Sequence, residues 1–197
     1  TDSANLVTNG SIEIDTTGWT ARGSSTISRA TSSPTPYIGL GELKIVTTAA
    51  ANDGAKYAVS LSSTTEYTLT VFAHLDSGSA AMATFEMGRA DDGATDTSCL
   101  TAQTLVTTGW TRFTCTFTTG TTSGSPYVYF KQTDAAVHTY YLDAAKLETA
   151  AAATPYREGV IYLNGNISSP LTIKNQSNST RAFEIQNAAG TSNLAKK

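Results

Sequence analysis

Apolar and polar residues alternate with a period of two along most of the chain, the signature of half-buried β-strands. The pattern is clearest in EYTLTVFAHL (66–75). There Tyr67, Leu69, Val71, Ala73 and Leu75 form one face, predicted to enter a core, and Thr68, Thr70, Phe72 and His74 form the other. Residues 110–118 (WTRFTCTFT) put Phe113, Cys115 and Phe117 on one face, and residues 126–132 (PYVYFKQ) set Val128 and Phe130 against Tyr127, Tyr129 and Lys131. Further strands are predicted in the opening NLVTNG segment and at 41–46, 56–61 and 81–90. Residues 20–42 read as loop, because SSPTP at 32–36 is unsuited to helix and to central strand alike. The stretch YYLDAAKLE (140–148) alternates bulky and small residues and predicts a final strand. Short strands about 8–12 residues apart, divided by turn signals, specify an all-β sandwich rather than an α/β fold.

After residue 150 the texture changes. An Ala-rich linker spans 151–158, and from 159 to 197 short apolar pairs recur: Ile161 and Leu163, Leu171 and Ile173, Phe183 and Ile185. So few apolar side chains in about 40 residues cannot bury a core of their own. The sequence therefore divides into a sandwich over 1–150 and a β-rich tail expected to dock on it or on a neighbouring copy. Strand donation of this kind, repeated head to tail, generates a filament.

Composition narrows the partners. Charged residues make up 15% and the net charge is −3, which lacks the basic stripe that nucleic acid demands. Ser and Thr number 55 of 197 residues, a bias toward exposed strand faces and turns and away from long helices. No apolar run approaches the roughly 18 residues of a membrane-spanning helix. The start at Thr1, without a visible tag or leader, fits a processed secreted protein or a fragment of a longer one.

Two cysteines, Cys99 and Cys115, flank a turn-like Thr107-Thr108-Gly109. In a symmetric hairpin centred there the two would face each other across an antiparallel pair, close enough for a disulfide. The alternative is two buried thiols. A disulfide implies an oxidising, extracellular setting.

Several pieces occur in an order that resembles the carbohydrate-binding modules of families four and nine, which are jelly-roll sandwiches. They are NLVTNGSIE followed by Gly18-Trp19, GELKIV, EYTLTVFAHL, the turn at Trp110 leading into FTCTFTT, and YYLDAAKLE. The resemblance spans residues 4–150 and implies a jelly roll carrying the tail as a C-terminal β-strand extension. It also implies a structural calcium held by Glu13 and Asp143, with carbonyls near Ser11 and Gly41. Calcium takes six to eight oxygens, carboxylate and carbonyl mixed. The competing reading of those acids is simple solvation at strand ends. Trp19 and Trp110 fall at turns where the resemblance implies a scaffold role.

A glycan site needs aromatic faces beside hydrogen-bonding groups. The outward-pointing Phe72, His74, Glu86, Arg112, Tyr129 and Lys131 are the candidates if their strands are neighbours. Catalysis has no sequence support: His74 and His138 are the only histidines and sit at no metal-ligand spacing, and no nucleophile or paired-carboxylate motif is present. Two non-enzymatic readings result. The tail favours an extracellular or cell-surface building block that polymerises with copies of itself. The alternative is a glycan-binding module of a secreted or surface carbohydrate-active protein.

Overall fold

In the computed structural model, residues 4–157 are described. They form ten strands: β1 (Trp19–Arg22), β2 (Thr26–Ala30), β3 (Glu42–Val46), β4 (Gly54–Ala58), β5 (Glu66–Leu75), β6 (Met82–Ala90), β7 (Thr97–Leu105), β8 (Thr111–Thr118), β9 (Tyr127–Gln132) and β10 (Thr139–Glu148). Two five-stranded sheets result, the first ordered β1-β4-β9-β6-β7 and the second β2-β3-β10-β5-β8. Neighbours within each sheet run antiparallel. This is the expected jelly-roll sandwich. The tail residues Ile161, Leu163, Leu171, Ile173, Phe183 and Ile185 lie outside the described residues.

The core fills the space between the sheets. Tyr67, Leu69, Val71, Ala73 and Leu75 of β5 point inward as their alternation requires, meeting Val128 and Phe130 of β9 and Phe113 and Phe117 of β8 in one apolar cluster. Trp19 joins that cluster, its ring edge-on to Tyr57 at 5.2 Å, while its indole N–H donates to the Asn9 carbonyl at 2.9 Å. A buried indole needs such a partner, so Trp19 serves as scaffold.

The segment 140–148 becomes the middle of the second sheet, with β3 on one side and β5 on the other. Every residue from Tyr140 to Glu148 is buried. Asp143 faces Phe72 and Lys146 faces Thr70, so β10 carries one residue more than β5 between these pairs. This bulge, with Ala144 at φ 49°, resets the alternation so that Tyr140 and Leu142 before it, and Ala145 and Leu147 after it, all reach the core.

The bulge is gripped by the opening residues. Asn5 donates to the Ala145 carbonyl at 2.9 Å and accepts from the Leu147 amide at 3.0 Å. The Gly10 carbonyl takes the Ala145 amide at 2.9 Å. A β-carbon on Gly10 would lie 2.1 Å from the Ala145 carbonyl oxygen, so only glycine fits. The opening residues thus bind β10 without forming the strand their apolar character suggests.

Two expectations are corrected here. Residues 20–42 are not all loop: most of β1 and all of β2 fall there, short edge strands whose polar faces hide the period-two signal. The Cys99–Cys115 bond forms, with α-carbons 5.9 Å apart, but not across a hairpin. Cys99 lies in β7 at the edge of the first sheet and Cys115 in β8 at the edge of the second. The disulfide therefore staples the two layers together.

Candidate functional site

The outer face of the first sheet carries a polar network built around β9. Alternation turns Tyr127, Tyr129 and Lys131 outward while Val128 and Phe130 fill the core. Tyr129 packs over Gly88 of β6, where a β-carbon would lie 2.6 Å from its hydroxyl. That hydroxyl donates to Glu86 Oε1 at 2.9 Å. Lys131 Nζ lies 3.3 Å from the same carboxylate oxygen and donates to Asn52 Oδ1 at 2.8 Å and Asp96 Oδ2 at 2.9 Å.

Arg22, on edge strand β1, reaches over these rings to Asp96, the residue before edge strand β7. Its guanidinium bonds both carboxylate oxygens, one at 3.0 Å, and the Tyr127 hydroxyl donates to Asp96 Oδ1 at 3.0 Å. Burial would raise the Asp96 pKa, but hydrogen bonds from Lys131 and attraction to Arg22 prevail and hold it below its ordinary value. Burial, helped by the Glu86 carboxylate, pushes the Tyr129 phenol well above its usual range, so it stays protonated and keeps its hydrogen bond to Glu86.

The ring faces are not open. Arg22 sits 4.8 Å and Lys131 4.9 Å from the Tyr129 centroid, and Lys56 sits 4.5 Å from that of Tyr127. This surface offers hydrogen bonds and charge rather than bare aromatic platforms.

The six candidate glycan residues do not form one site. Glu86, Tyr129 and Lys131 meet on the first sheet, whereas Phe72, His74 and Arg112 belong to β5 and β8 of the second. The division arises because the chain leaves the second sheet after β5, and then alternates between the sheets from β7 to β10, so none of the strands β7 to β10 pairs with the next. On the second sheet Phe72 is half covered by Tyr37, stacked at 3.6 Å. Trp110 leans edge-on to Tyr37 and to His74 and donates its indole N–H to the Thr35 carbonyl at 2.9 Å. Sequence reasoning missed Arg22 and Asp96. They are 74 positions apart and only the sheet order brings them together, so no local motif could announce them.

Glu13 and Asp143 do come close, joined by a third acid that the sequence reading did not single out. Glu42 of β3 lies one step beyond the Leu142–Leu43 pair, across from Asp143. The intervening loop lays amides on both expected acids: Ile38 N–H donates to Asp143 at 3.0 Å and Leu40 N–H to Glu13 at 2.8 Å. Glu13 Oε1 and both oxygens of Glu42 are nevertheless buried without a partner. Burial, then repulsion from Asp143, raises the Glu42 pKa to about 7. Burial also raises Asp143 to about 7, against the pull of backbone amides and with Glu13 adding repulsion.

Among the described residues no three acidic, histidine or cysteine side chains are grouped closely enough to hold a metal ion together. Backbone carbonyls must therefore supply part of any shell, as is usual for calcium. Ser11 and Gly41 are buried beside Glu13 and Glu42 in the chain. The Ile12 carbonyl that packs on Gly41 already accepts from Arg29 at 2.8 Å. Glu13 Oε1 and the two Glu42 oxygens are buried acceptors of the kind a hard cation satisfies, but these acids alone do not make a shell for one.

A separate groove of about 700 Å³, bounded by Leu6, Thr8, Tyr57, Leu61, Thr122 and Pro126, contains no Asp, Glu, Lys, Arg or His. Its lining mixes apolar side chains with the hydroxyls of Thr8, Tyr57, Ser60, Thr122, Ser123 and Ser125, and it shares none of the charged residues of either face.

A family model described as a carbohydrate binding domain matches residues 4–136. The chain belongs to that family. A search of curated proteins returns no match. Solved structures similar to this carbohydrate-binding domain include the CBM22-1 xylan-binding domain of Xyn10C from Paenibacillus barcinonensis. It is 23% identical with a TM-score of 0.62, over 77% of this chain and 97% of that one. The C-terminal family 22 module of Xyn10B from Clostridium thermocellum is also 23% identical, with a TM-score of 0.61 over 77% and 96% of the two chains. A family 16 carbohydrate-binding module is 22% identical, with a TM-score of 0.51 over 73% and 99%. At these identities the likeness is one of fold.

Family membership overturns the expectation of a filament building block linked through its tail. That reading treated the sandwich as a scaffold and rested on residues outside the described ones, whereas the sandwich itself is the carbohydrate-binding unit. A glycan replaces copies of the same chain as the partner class.

Proposed function

We propose that this carbohydrate-binding domain holds a polysaccharide chain against the outer face of the first sheet, as a non-catalytic module of an extracellular carbohydrate-active protein. The observation that carries the reading is the convergence, over the two outward tyrosines of β9, of Arg22 and Lys131 with Asn52, Glu86 and Asp96. Sugar hydroxyls need donors and acceptors side by side, and this face supplies both on a rigid strand floor. Its structural neighbours include xylan-binding domains, which makes xylan the first polymer to try. Affinity electrophoresis in gels containing xylan, mannan or β-glucan tests the reading. Retardation by at least one polymer is expected, with Arg22→Ala migrating as in a polymer-free gel. Unretarded migration of the folded wild type in every gel would reject it.

The acidic cluster serves this function indirectly. A calcium ion taking carboxylate oxygen here together with backbone carbonyls would neutralise buried charge and tie the 37–41 loop to β3 and β10. These residues position the loops and would not touch the sugar.

A further inference from the structure

Resting on the reading that the first-sheet face binds glycans, we propose that its preferred ligands carry carboxylates, as uronic acids do, and that Asp96 occupies the carboxylate seat when no such ligand is bound. Asp96 is received as a ligand would be. Both its oxygens take the Arg22 guanidinium, Oδ2 takes the Lys131 ammonium at 2.9 Å, and Oδ1 takes the Tyr127 hydroxyl at 3.0 Å. Bidentate arginine with a second cation is a strong arrangement for a carboxylate.

The covered tyrosines point the same way. With cations 4.5–4.9 Å from the ring centroids, a neutral sugar has no free aromatic face to stack on. Recognition falls to charge and hydrogen bonds instead. With Asp96 turned away, Arg22 and Lys131 lose the carboxylate they share, and Lys131 keeps Glu86 at 3.3 Å, which leaves Arg22 free to take a ligand carboxylate.

Asp96 is also placed to leave. It is the last residue before β7, between the exposed Thr95 and Thr97. The turn before it is fixed independently, since Asp92 Oδ1 accepts the amides of Ala94 at 2.9 Å and Thr95 at 2.7 Å. The Asp96 side chain can therefore rotate away while the turn stays in place.

Titration calorimetry with tetragalacturonate and its methyl-esterified, neutral counterpart tests the proposal. The wild type is expected to bind the free acid about tenfold more tightly, a preference that shrinks with added salt. Asp96→Asn, which keeps the shape but gives up the competing charge, is expected to tighten free-acid binding by about a further tenfold and so to widen the preference for acid over ester. Equal binding of acid and ester by both proteins overturns the proposal, as does an Asp96→Asn variant that weakens both alike. Retention on a neutral polysaccharide without any acid preference would remove this inference and leave the glycan reading standing. Absence of binding to any glycan would remove both. Asp96→Ala, with its melting curve recorded, guards against an effect peculiar to the amide.

Discussion

Glu42 and Asp143 stand across from each other on β3 and β10, and neither oxygen of Glu42 has a hydrogen-bond partner. Two buried carboxylates at that spacing repel each other unless a cation or a proton intervenes. Calcium is therefore expected to raise the melting temperature by about 5–10 °C at saturating concentration, and a chelator to reverse the gain. Glu42→Gln should abolish the calcium response while leaving the metal-free protein folded. A melting temperature indifferent to both calcium and chelator would refute the assignment.

The acids show how far sequence reading reaches. Glu13 and Asp143 were legible because they sit in recognisable stretches, one after Asn9-Gly10 and one in the final strand. Glu42 opens GELKIV, where an acid at a strand start suggests nothing special, and only the pairing of β3 with β10 gives it a role. The strands themselves were legible wherever one face is apolar and the other polar, as in β5, β8 and β9. They were not legible in β1 and β2, whose burial is too slight to impose a pattern. Sheet order left no trace in the sequence, which is why the six glycan candidates divide between two faces.

The Cys99–Cys115 bond joins edge strands of different sheets across a sequence separation of 16. Loop closure of that length is worth about 3 kcal/mol. The double variant Cys99→Ser, Cys115→Ser should melt about 6–12 °C lower than the oxidised wild type, and reduction of the wild type should produce a similar drop. Since neither cysteine belongs to the β9 face, glycan retention of the folded variant should be unchanged. A loss of retention without loss of fold would tie the staple to the site.

Asp53 anchors the β1–β2 turn to the loop before β4. Its carboxylate accepts the Ser24 amide at 2.7 Å and the amide and hydroxyl of Thr48 at 2.7 Å each. Burial works against ionisation, but the Thr48 and Ser24 bonds prevail and lower its pKa. A carboxyl whose folded pKa lies below its unfolded value contributes stability above about pH 4, and that contribution is lost as pH falls through the folded value. Asp53→Asn should therefore lower stability at pH 7 by on the order of 2 kcal/mol, with the difference from wild type shrinking below pH 4. A difference independent of pH would mean that packing, not ionisation, is what Asp53 contributes.

The two faces of the sandwich make opposite predictions, and one pair of substitutions separates them. Lys131 is buried in the first-sheet network and contacts Asn52, Glu86 and Asp96. Arg112 is exposed on the second sheet beside the Tyr37–Phe72 stack. If the ligand lies over β9, Lys131→Ala should weaken binding at least tenfold, because a charge-assisted hydrogen bond is worth about 1.5–3 kcal/mol. Arg112→Ala and Trp110→Phe should bind as the wild type does. Lys131 is also structural, so Lys131→Gln, which retains a donor without the charge, should recover the fold and part of the affinity. The reverse outcome, with Arg112→Ala weakened and Lys131→Gln unaffected, would move the site to the second sheet. The stacked Tyr37 and the edge of Trp110 would then be its platform, and Asp96 would be no more than a surface ion-pair partner.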